Sequence, residues 1–350
     1  MLRFSLNFVY VIIYFNLIAV EILYVGLALF STELTILIIS ICFFYRFKNK
    51  DVTFSLKNLD KAILVTVLGM ACWTIVHQAG DMLIYRVDTM FVNVFFGSKN
   101  SGRVGAISDL GQYIISASAI LGGLFGPLII REYANKRIDN VRQLVVQQSF
   151  IVGSIAATLC GILIGFSKIF LTLWLGIDFG NYYLWQDLKL IPLPFYAAAG
   201  VMSYVFRTWN FVKIPAIATV FVGFMNVASI CLIGWIFGQT PEDAILLILL
   251  CGDLFNFVQS FALGSYCCHR LCNMKYRECV LIFSKILIVL LTTTIISAFM
   301  SFTMTIDSFL LMALLCTVSG LISYSLMFGI VYSKEDRIVL LSILYHRTNE

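Results

Sequence analysis

The sequence of 350 residues has few charged residues and few of the side chains that enzymes use for catalysis. Charged residues make up 12% of the chain, whereas soluble globular domains contain about 25%, so a soluble fold is excluded. Three histidines leave little for acid–base chemistry, and no hydrolase, zinc-protease or Walker A motif is present. We therefore expect a membrane protein that is not an enzyme, with no cofactor and no nucleic-acid partner.

Hydrophobic residues are abundant instead, at 60% of the chain with a mean hydropathy of +0.94. A helix needs about 20 mostly apolar residues to span a bilayer, and it satisfies its own backbone hydrogen bonds there. The fold predicted is an all-α, polytopic transmembrane helix bundle of about ten spans. The predicted spans are residues 8–30, 34–47, 62–97, 105–130, 145–167, 190–206, 212–237, 243–266, 279–301 and 307–332.

The positions of the basic residues predict the orientation, because Lys and Arg favour the cytoplasmic side. If residues 62–97 cross the bilayer once, both termini are cytoplasmic, and 18 of the 24 basic residues fall in cytoplasmic segments. Two of these segments, 55–62 and 131–144, are amphipathic and are expected at the headgroup layer. A span of 62–97 would be about 54 Å long, so we expect it to tilt strongly, to protrude or to bend, with Gly69 or Gly80 permitting the bend.

Four polar residues form one stripe along this third span, because Gln78, Asp81, Tyr85 and Asp88 follow helical spacing. Arg86 lies on a different side of the helix and needs a partner elsewhere, a water-filled cavity or an anionic ligand. Each charge at the bilayer centre costs at least about 2.5–3.5 kcal/mol, so these side chains are not expected to face lipid.

Other spans contain further polar residues, and together with the stripe they predict a polar lumen between helices. The alternative is a network of hydrogen bonds and ion pairs that only holds the bundle together. The additional residues are Glu21, Asp109, Asn226, Asp253 and Gln259.

A cysteine cluster, Cys267, Cys268 and Cys272 beside His269, raises the question of a metal site. Zinc sites usually take paired ligands from two segments, and only Cys279 is available as a further ligand nearby. We therefore expect no metal here, and the cysteines are either palmitoylated or free.

The order of several motifs is that of a known transporter family. Asp88 is followed by a loop rich in glycine (97–105), then by Pro127 before the charged segment 131–142, and later by "LWLG" at residues 173–176. The chain resembles one six-helix lobe of the polysaccharide flippases of the Wzx type. These belong to a superfamily that includes the MATE drug exporters and the lipid II flippase MurJ.

The resemblance implies a division into residues 1–50 (two helices remaining from a first lobe), 51–266 (a six-helix lobe) and 267–350 (two further helices and a cytoplasmic tail). Flippases of this type have two six-helix lobes with the substrate path between them, so this chain is short at its N-terminus. Either it is truncated, or two chains assemble, or the short form has another role.

The function that the resemblance implies is translocation of polyprenyl-diphosphate-linked oligosaccharide across the bacterial inner membrane, for O-antigen or capsule synthesis. Arg86 would bind diphosphate or an acidic sugar, and Asp81 and Asp88 would couple transport to an ion or proton. Expected partners are the lipid-linked oligosaccharide, membrane lipids, and the polysaccharide polymerase machinery or a second chain. The alternatives are an ion-coupled multidrug exporter of the MATE type, a polymerase without its usual outer loop, and a membrane subunit that does not transport.

Overall fold

The computed structural model describes residues 2–17, 21–47, 60–237 and 240–332, and all regular structure in these ranges is helical. This confirms the predicted all-α, polytopic membrane bundle. Nine helical segments in the described ranges are long and apolar enough to cross a membrane. Most of the amphipathic segment 55–62, three of the predicted cytoplasmic lysines before residue 60 and the predicted C-terminal tail from residue 333 lie outside the described residues.

The helices fall into two units, residues 1–65 and 66–350. A 3₁₀ helix, Ile177–Tyr182, precedes the seventh α-helix. The α-helices are α1 Leu2–Leu17, α2 Ile22–Phe47, α3 Lys61–Tyr85, α4 Val87–Ala134, α5 Ile138–Gly165, α6 Ser167–Leu175, α7 Tyr183–Leu190, α8 Leu193–Thr208, α9 Lys213–Ile236, α10 Pro241–Cys272, α11 Tyr276–Thr303 and α12 Phe309–Ile330.

The boundaries predicted for the first two spans are wrong. Residues 31–33, predicted to separate the spans, lie within α2, and α1 ends at Leu17. At 16 residues, α1 is shorter than the roughly 20 residues that a spanning helix requires. The hydroxyls of Tyr10 and Thr35 are 2.8 Å apart, as are those of Tyr14 and Ser31, and these hydrogen bonds join α1 to α2.

The third predicted span bends, but at neither of the glycines expected. Gly69 and Gly80 lie inside α3, and the helix breaks at Arg86, whose φ is −119°. A second break follows at Gly97, where φ is +82° and ψ is 169°. Only glycine adopts this conformation readily, so Gly97 separates the end of the third predicted span from the next long helical stretch.

The core of the second unit is built by α5, which packs closely against α8 and α11. Glycines allow this approach on the α11 side. A Cβ added to Gly161 would stand 2.8 Å from the Cβ of Thr293, and one added to Gly165 would stand 2.7 Å from the backbone nitrogen of Ala298. Small residues at helix contacts are typical of membrane bundles, because they let two backbones come together.

Candidate functional site

The polar stripe of α3 faces the interior of the second unit, toward α8 and α10. Tyr85 donates a hydrogen bond from its hydroxyl to Oδ1 of Asn256 at 2.6 Å. Its ring centroid lies 4.8 Å from that of Tyr196. Because both partners belong to other helices, the stripe contacts protein rather than lipid at this level.

Asp88 continues the stripe beyond the break at Arg86, and it forms an ion pair with Lys189 at the end of α7. The two side chains are 1% and 13% exposed, so the pair is almost fully desolvated. Asp88 Oδ1 also accepts a hydrogen bond from the Thr89 backbone nitrogen at 2.7 Å. The buried carboxylate thus has both a charged and a backbone partner, as buried charges require.

Asp253 on α10 lies beside this pair, and it lines a small cavity of about 30 Å³ together with Lys189, Tyr85 and Asn256. Its Oδ2 atom is buried and has no hydrogen-bond partner among the described residues. Two carboxylates and one ammonium group therefore share this part of the bundle, which leaves a formal charge of −1. We call Asp88, Lys189 and Asp253 the charged trio.

A larger cavity lies between α3, α4, α8 and α10, with a volume of about 200 Å³. A second cavity of about 270 Å³ adjoins it, and Gln78 lines this second one. Asp81 lines both, and its Oδ2 lies 3.1 Å from Nδ1 of His77. The residues that the two cavities share are His77, Asp81, Tyr196, Phe206 and Arg207.

Arg86, predicted to contact the substrate, lies outside the residues that line these cavities. Its side chain is exposed, and its Nη2 atom donates a long hydrogen bond of 3.5 Å to Oε1 of Gln112. Within the described part of the chain, Arg86 makes no ion pair with a carboxylate. Its guanidinium group is therefore available to an anionic ligand.

The structure places the remaining predicted residues in different surroundings. Asn226 is fully buried and donates from Nδ2 to the carbonyl oxygens of Leu83 and Ile84, at 3.0 and 3.4 Å. It thus supports the helix just before the break at Arg86. Asp109 is exposed. Gln259 donates to the hydroxyl of Thr219 at 3.1 Å and joins α10 to α9.

The predicted residues are therefore divided: some line or adjoin the cavities, whereas Arg86, Asp109 and Asn226 do not. Those at the cavities are Gln78, Asp81, Tyr85, Asp88, Asp253 and Gln259. Residues that the sequence analysis did not select complete the site. They are His77, Lys189, Tyr196, Arg207 and Asn256.

Lys189 is the most informative omission, because it lies just before the predicted span 190–206. In the structure it lies in α7, one helical turn after the buried Trp185. That spacing, i and i+4, places the two side chains on the same face of the helix. A large apolar residue one turn before Lys189 was therefore the sequence signal that this face points inward.

The cysteine cluster lies at the α10–α11 turn, and all four of its cysteines, counting Cys279, are buried. The thiol of Cys272 donates to the carbonyl oxygen of Cys268 at 3.0 Å. His269 contacts the carbonyl oxygen of Met274 at 2.9 Å through Nδ1. Buried thiols pack as small apolar side chains, and in this conformation they are not accessible to palmitoylation.

Comparison with known proteins gives one relative. The chain is 27% identical over 228 residues to the "Uncharacterized membrane protein EpsK" of Bacillus subtilis (strain 168). The match covers 61% of this chain but 43% of EpsK, so the chain spans less than half the length of this relative. No family model matches, and no solved structure matches. The relative and the nine apolar helical segments agree that this chain is a multi-pass membrane protein.

Proposed function

We propose that the chain is a flippase of the Wzx type that moves polyprenyl-diphosphate-linked oligosaccharide across the bacterial inner membrane, for O-antigen or capsule synthesis. The observation that carries the proposal is the pair of adjoining cavities, whose shared walls include His77, Asp81 and Arg207 within an otherwise apolar helix bundle. Intramembrane polar residues are costly and usually mark a transport pathway. A transport role needs no chemical step, so we propose no enzyme activity.

The cavity walls suit a sugar. Asp81, Gln78 and Arg207 offer hydrogen-bond acceptors and donors, while Tyr196 and Phe206 add aromatic surface. Ligand sites commonly combine apolar and aromatic walls with a few polar groups that fix orientation. A glycan with many hydroxyl groups fits this combination better than a purely apolar molecule does.

Arg86 is the proposed contact for the diphosphate, because its guanidinium group has only one long hydrogen bond and no ion pair within the described residues. Guanidinium pairs with phosphate oxygens through two parallel hydrogen bonds.

For coupling to an ion or proton, Asp81 is the stronger candidate. Asp88 is already neutralised by Lys189, whereas Oδ1 of Asp81 is buried with no hydrogen-bond partner in the described structure.

The test is complementation of a strain that lacks the gene, scored by surface polysaccharide and by polyprenyl-linked sugar accumulated on the cytoplasmic side. Arg86→Ala and Asp81→Asn should block export while the protein remains in the membrane at normal abundance. Arg86→Lys should recover part of the export, since the charge remains. Asp109→Asn, at an exposed position, is the matched control. Normal export by Arg86→Ala would remove the role of Arg86.

A multidrug exporter of the MATE type is the second proposal, favoured by the carboxylates of Asp81 and Asp253 at the cavities. Acidic groups in a polar cavity attract cationic substrates. Deletion of the gene would then sensitise cells to cationic drugs and leave surface polysaccharide unchanged. The flippase proposal expects the reverse.

A further inference from the structure

An apolar groove between α8, α10 and α11 is separate from the two polar cavities of the proposed transport path. Its volume is about 470 Å³, which lies within the range of about 300–1,000 Å³ typical of small-molecule sites. Four phenylalanines form much of its wall: Phe195, Phe257, Phe261 and Phe283. Their rings pack on one another with centroid distances between 5.0 and 6.4 Å.

The groove opens on a surface that faces lipid. Leu254 in its wall is 57% exposed, and Val258 and Leu281 beside it are 48% and 54% exposed. In a membrane protein, large apolar side chains of α10 and α11 with this exposure are covered by hydrocarbon. A ligand dissolved in the bilayer can therefore reach the groove without passing through water.

One carboxylate interrupts the apolar wall. Asp253 lines both the groove and the small cavity that contains Lys189, so it connects the lipid side to the charged trio. Its Oδ2 atom has no hydrogen-bond partner among the described residues. It lies twelve residues into the 32-residue α10, about 18 Å from the start of that helix, and thus within its middle third.

We propose that the groove binds an amphiphilic amine from the bilayer, with the ammonium group at Asp253 and the apolar body against the phenylalanine rings. With all three groups ionised, the charged trio carries a net charge of −1, and one monovalent organic cation completes it. Aromatic faces attract cations in addition to their apolar contact. An anionic headgroup would be repelled by Asp253, and an uncharged chain would leave the carboxylate without a partner.

The site does not depend on the proposed flippase activity, because binding is measured on the purified chain alone. The full-length protein in nanodiscs of zwitterionic phosphatidylcholine is titrated with dodecylamine, which is an ammonium ion at neutral pH. Dodecan-1-ol serves as the uncharged probe of equal chain length. Bound probe is counted by native mass spectrometry, and thermal unfolding of each variant verifies folding.

Three variants separate the contributions. Asp253→Asn removes the charge, Asp253→Glu retains it, and Leu254→Trp fills the groove without touching the charged trio. Leu232→Trp on α9, also an exposed apolar position, is the matched control. We expect dodecylamine to bind at least about tenfold more tightly than dodecan-1-ol. Asp253→Asn and Leu254→Trp should each lose that preference, and Asp253→Glu and Leu232→Trp should retain it.

Equal binding of the two probes would overturn the proposal, because it would make the groove a site for any acyl chain. Unchanged dodecylamine binding by a folded Asp253→Asn variant would also overturn it. Loss of binding in Asp253→Asn together with full binding in Leu254→Trp would place the amine in the interior cavity, against the proposal. If Asp253→Asn does not fold, the result with Leu254→Trp alone decides between the groove and other sites.

Discussion

Asp88 and Lys189 neutralise each other's charge in the interior of the bundle. Asp88 was selected from the sequence as a coupling residue, but its carboxylate is 1% exposed and paired with Lys189. Removing water from two charges is costly, and their attraction repays the cost only while both are present. Substituting either residue alone therefore leaves one buried charge without its partner and destabilises the protein.

Lys189→Ala should destabilise the protein by about 3–5 kcal/mol, because it leaves the carboxylate of Asp88 buried without a counter-charge. The double variant Asp88→Asn with Lys189→Met should recover part of the loss, since both charges of the pair are removed together and only Asp253 of the trio remains. The stability of the single and double variants is measured by their abundance in the membrane and by the midpoint of thermal unfolding in detergent. Asp109→Ala is the exposed control, and a Lys189→Ala variant as stable as this control would contradict the prediction.

The sequence predicted part of the site at this scale for a physical reason. Helical spacing alone places Gln78, Asp81, Tyr85 and Asp88 on one face, and the cost of exposing charge to lipid indicates that this face points inward. Spacing within one helix contains no information about partners on other helices. Lys189, Arg207 and Asn256 were therefore not found, and the exposed position of Arg86 was not predicted.

Among the elements, the contact between α5 and α11 has the strongest structural support. Gly161 and Gly165 allow close approach along the helices. Near the start of both helices, Arg142 donates to Glu278 through Nε and Nη2 of its guanidinium group, with Nε at 3.1 Å from Oε2. The two helices are thus joined at one end by charge and farther along by backbone proximity.

Gly165→Ala should destabilise the bundle by about 1–3 kcal/mol, the usual cost of overpacking. The added methyl group would meet the backbone nitrogen of Ala298, which cannot move as a side chain can. Gly69→Ala in α3 is the matched control, since nothing lies within 4 Å of the added carbon. Thermal unfolding of the two variants side by side tests the prediction, which equal midpoints would refute.

Glu278→Ala should destabilise α11 more than Arg142→Ala does. Glu278 accepts hydrogen bonds from Arg142 and also from the Lys275 backbone nitrogen at 2.9 Å, where it caps the helix. Losing the charged hydrogen bond and the cap together should cost about 2–4 kcal/mol, while Arg142→Ala leaves the cap in place. Thermal unfolding in detergent compares the stability of the two variants. A larger loss of stability in Arg142→Ala would contradict the role of the cap.

Helix boundaries were predicted less well than helix existence. The apolar run that contains α1 and α2 has no proline to mark a break, and hydrophobicity alone cannot locate one. The bend at Arg86 likewise has no glycine or proline. It is accompanied by Asn226, whose side chain donates to the carbonyl oxygens of Leu83 and Ile84 from another helix, and such a tertiary contact cannot be read from local sequence.

For the whole molecule, the distribution of basic residues is the strongest constraint on orientation. The α4–α5 connection contains Lys136 and Arg137, and the α10–α11 connection contains Lys275 and is followed by Arg277. Both connections turn through residues with positive φ, at Lys136 (59°) and Asn273 (54°). The positive-inside rule therefore predicts that both turns are cytoplasmic, and that the break at Gly97 lies at the opposite membrane face.

Single cysteines placed in a version of the chain without native cysteines should reveal this orientation. In intact cells, a membrane-impermeant maleimide should label cysteine at positions 99 and 178, and label positions 136 and 273 only after permeabilisation. Position 99 follows the break at Gly97 and position 178 lies in the 3₁₀ helix, and each is one predicted crossing away from the α4–α5 turn, so both are predicted to lie on the outer side. The opposite labelling pattern would show that the predicted orientation is wrong. Labelling of 99 and 136 from the same side would mean that α4 does not cross after Gly97, and the polar cavities between α3, α4, α8 and α10 could not then form part of a path across the membrane.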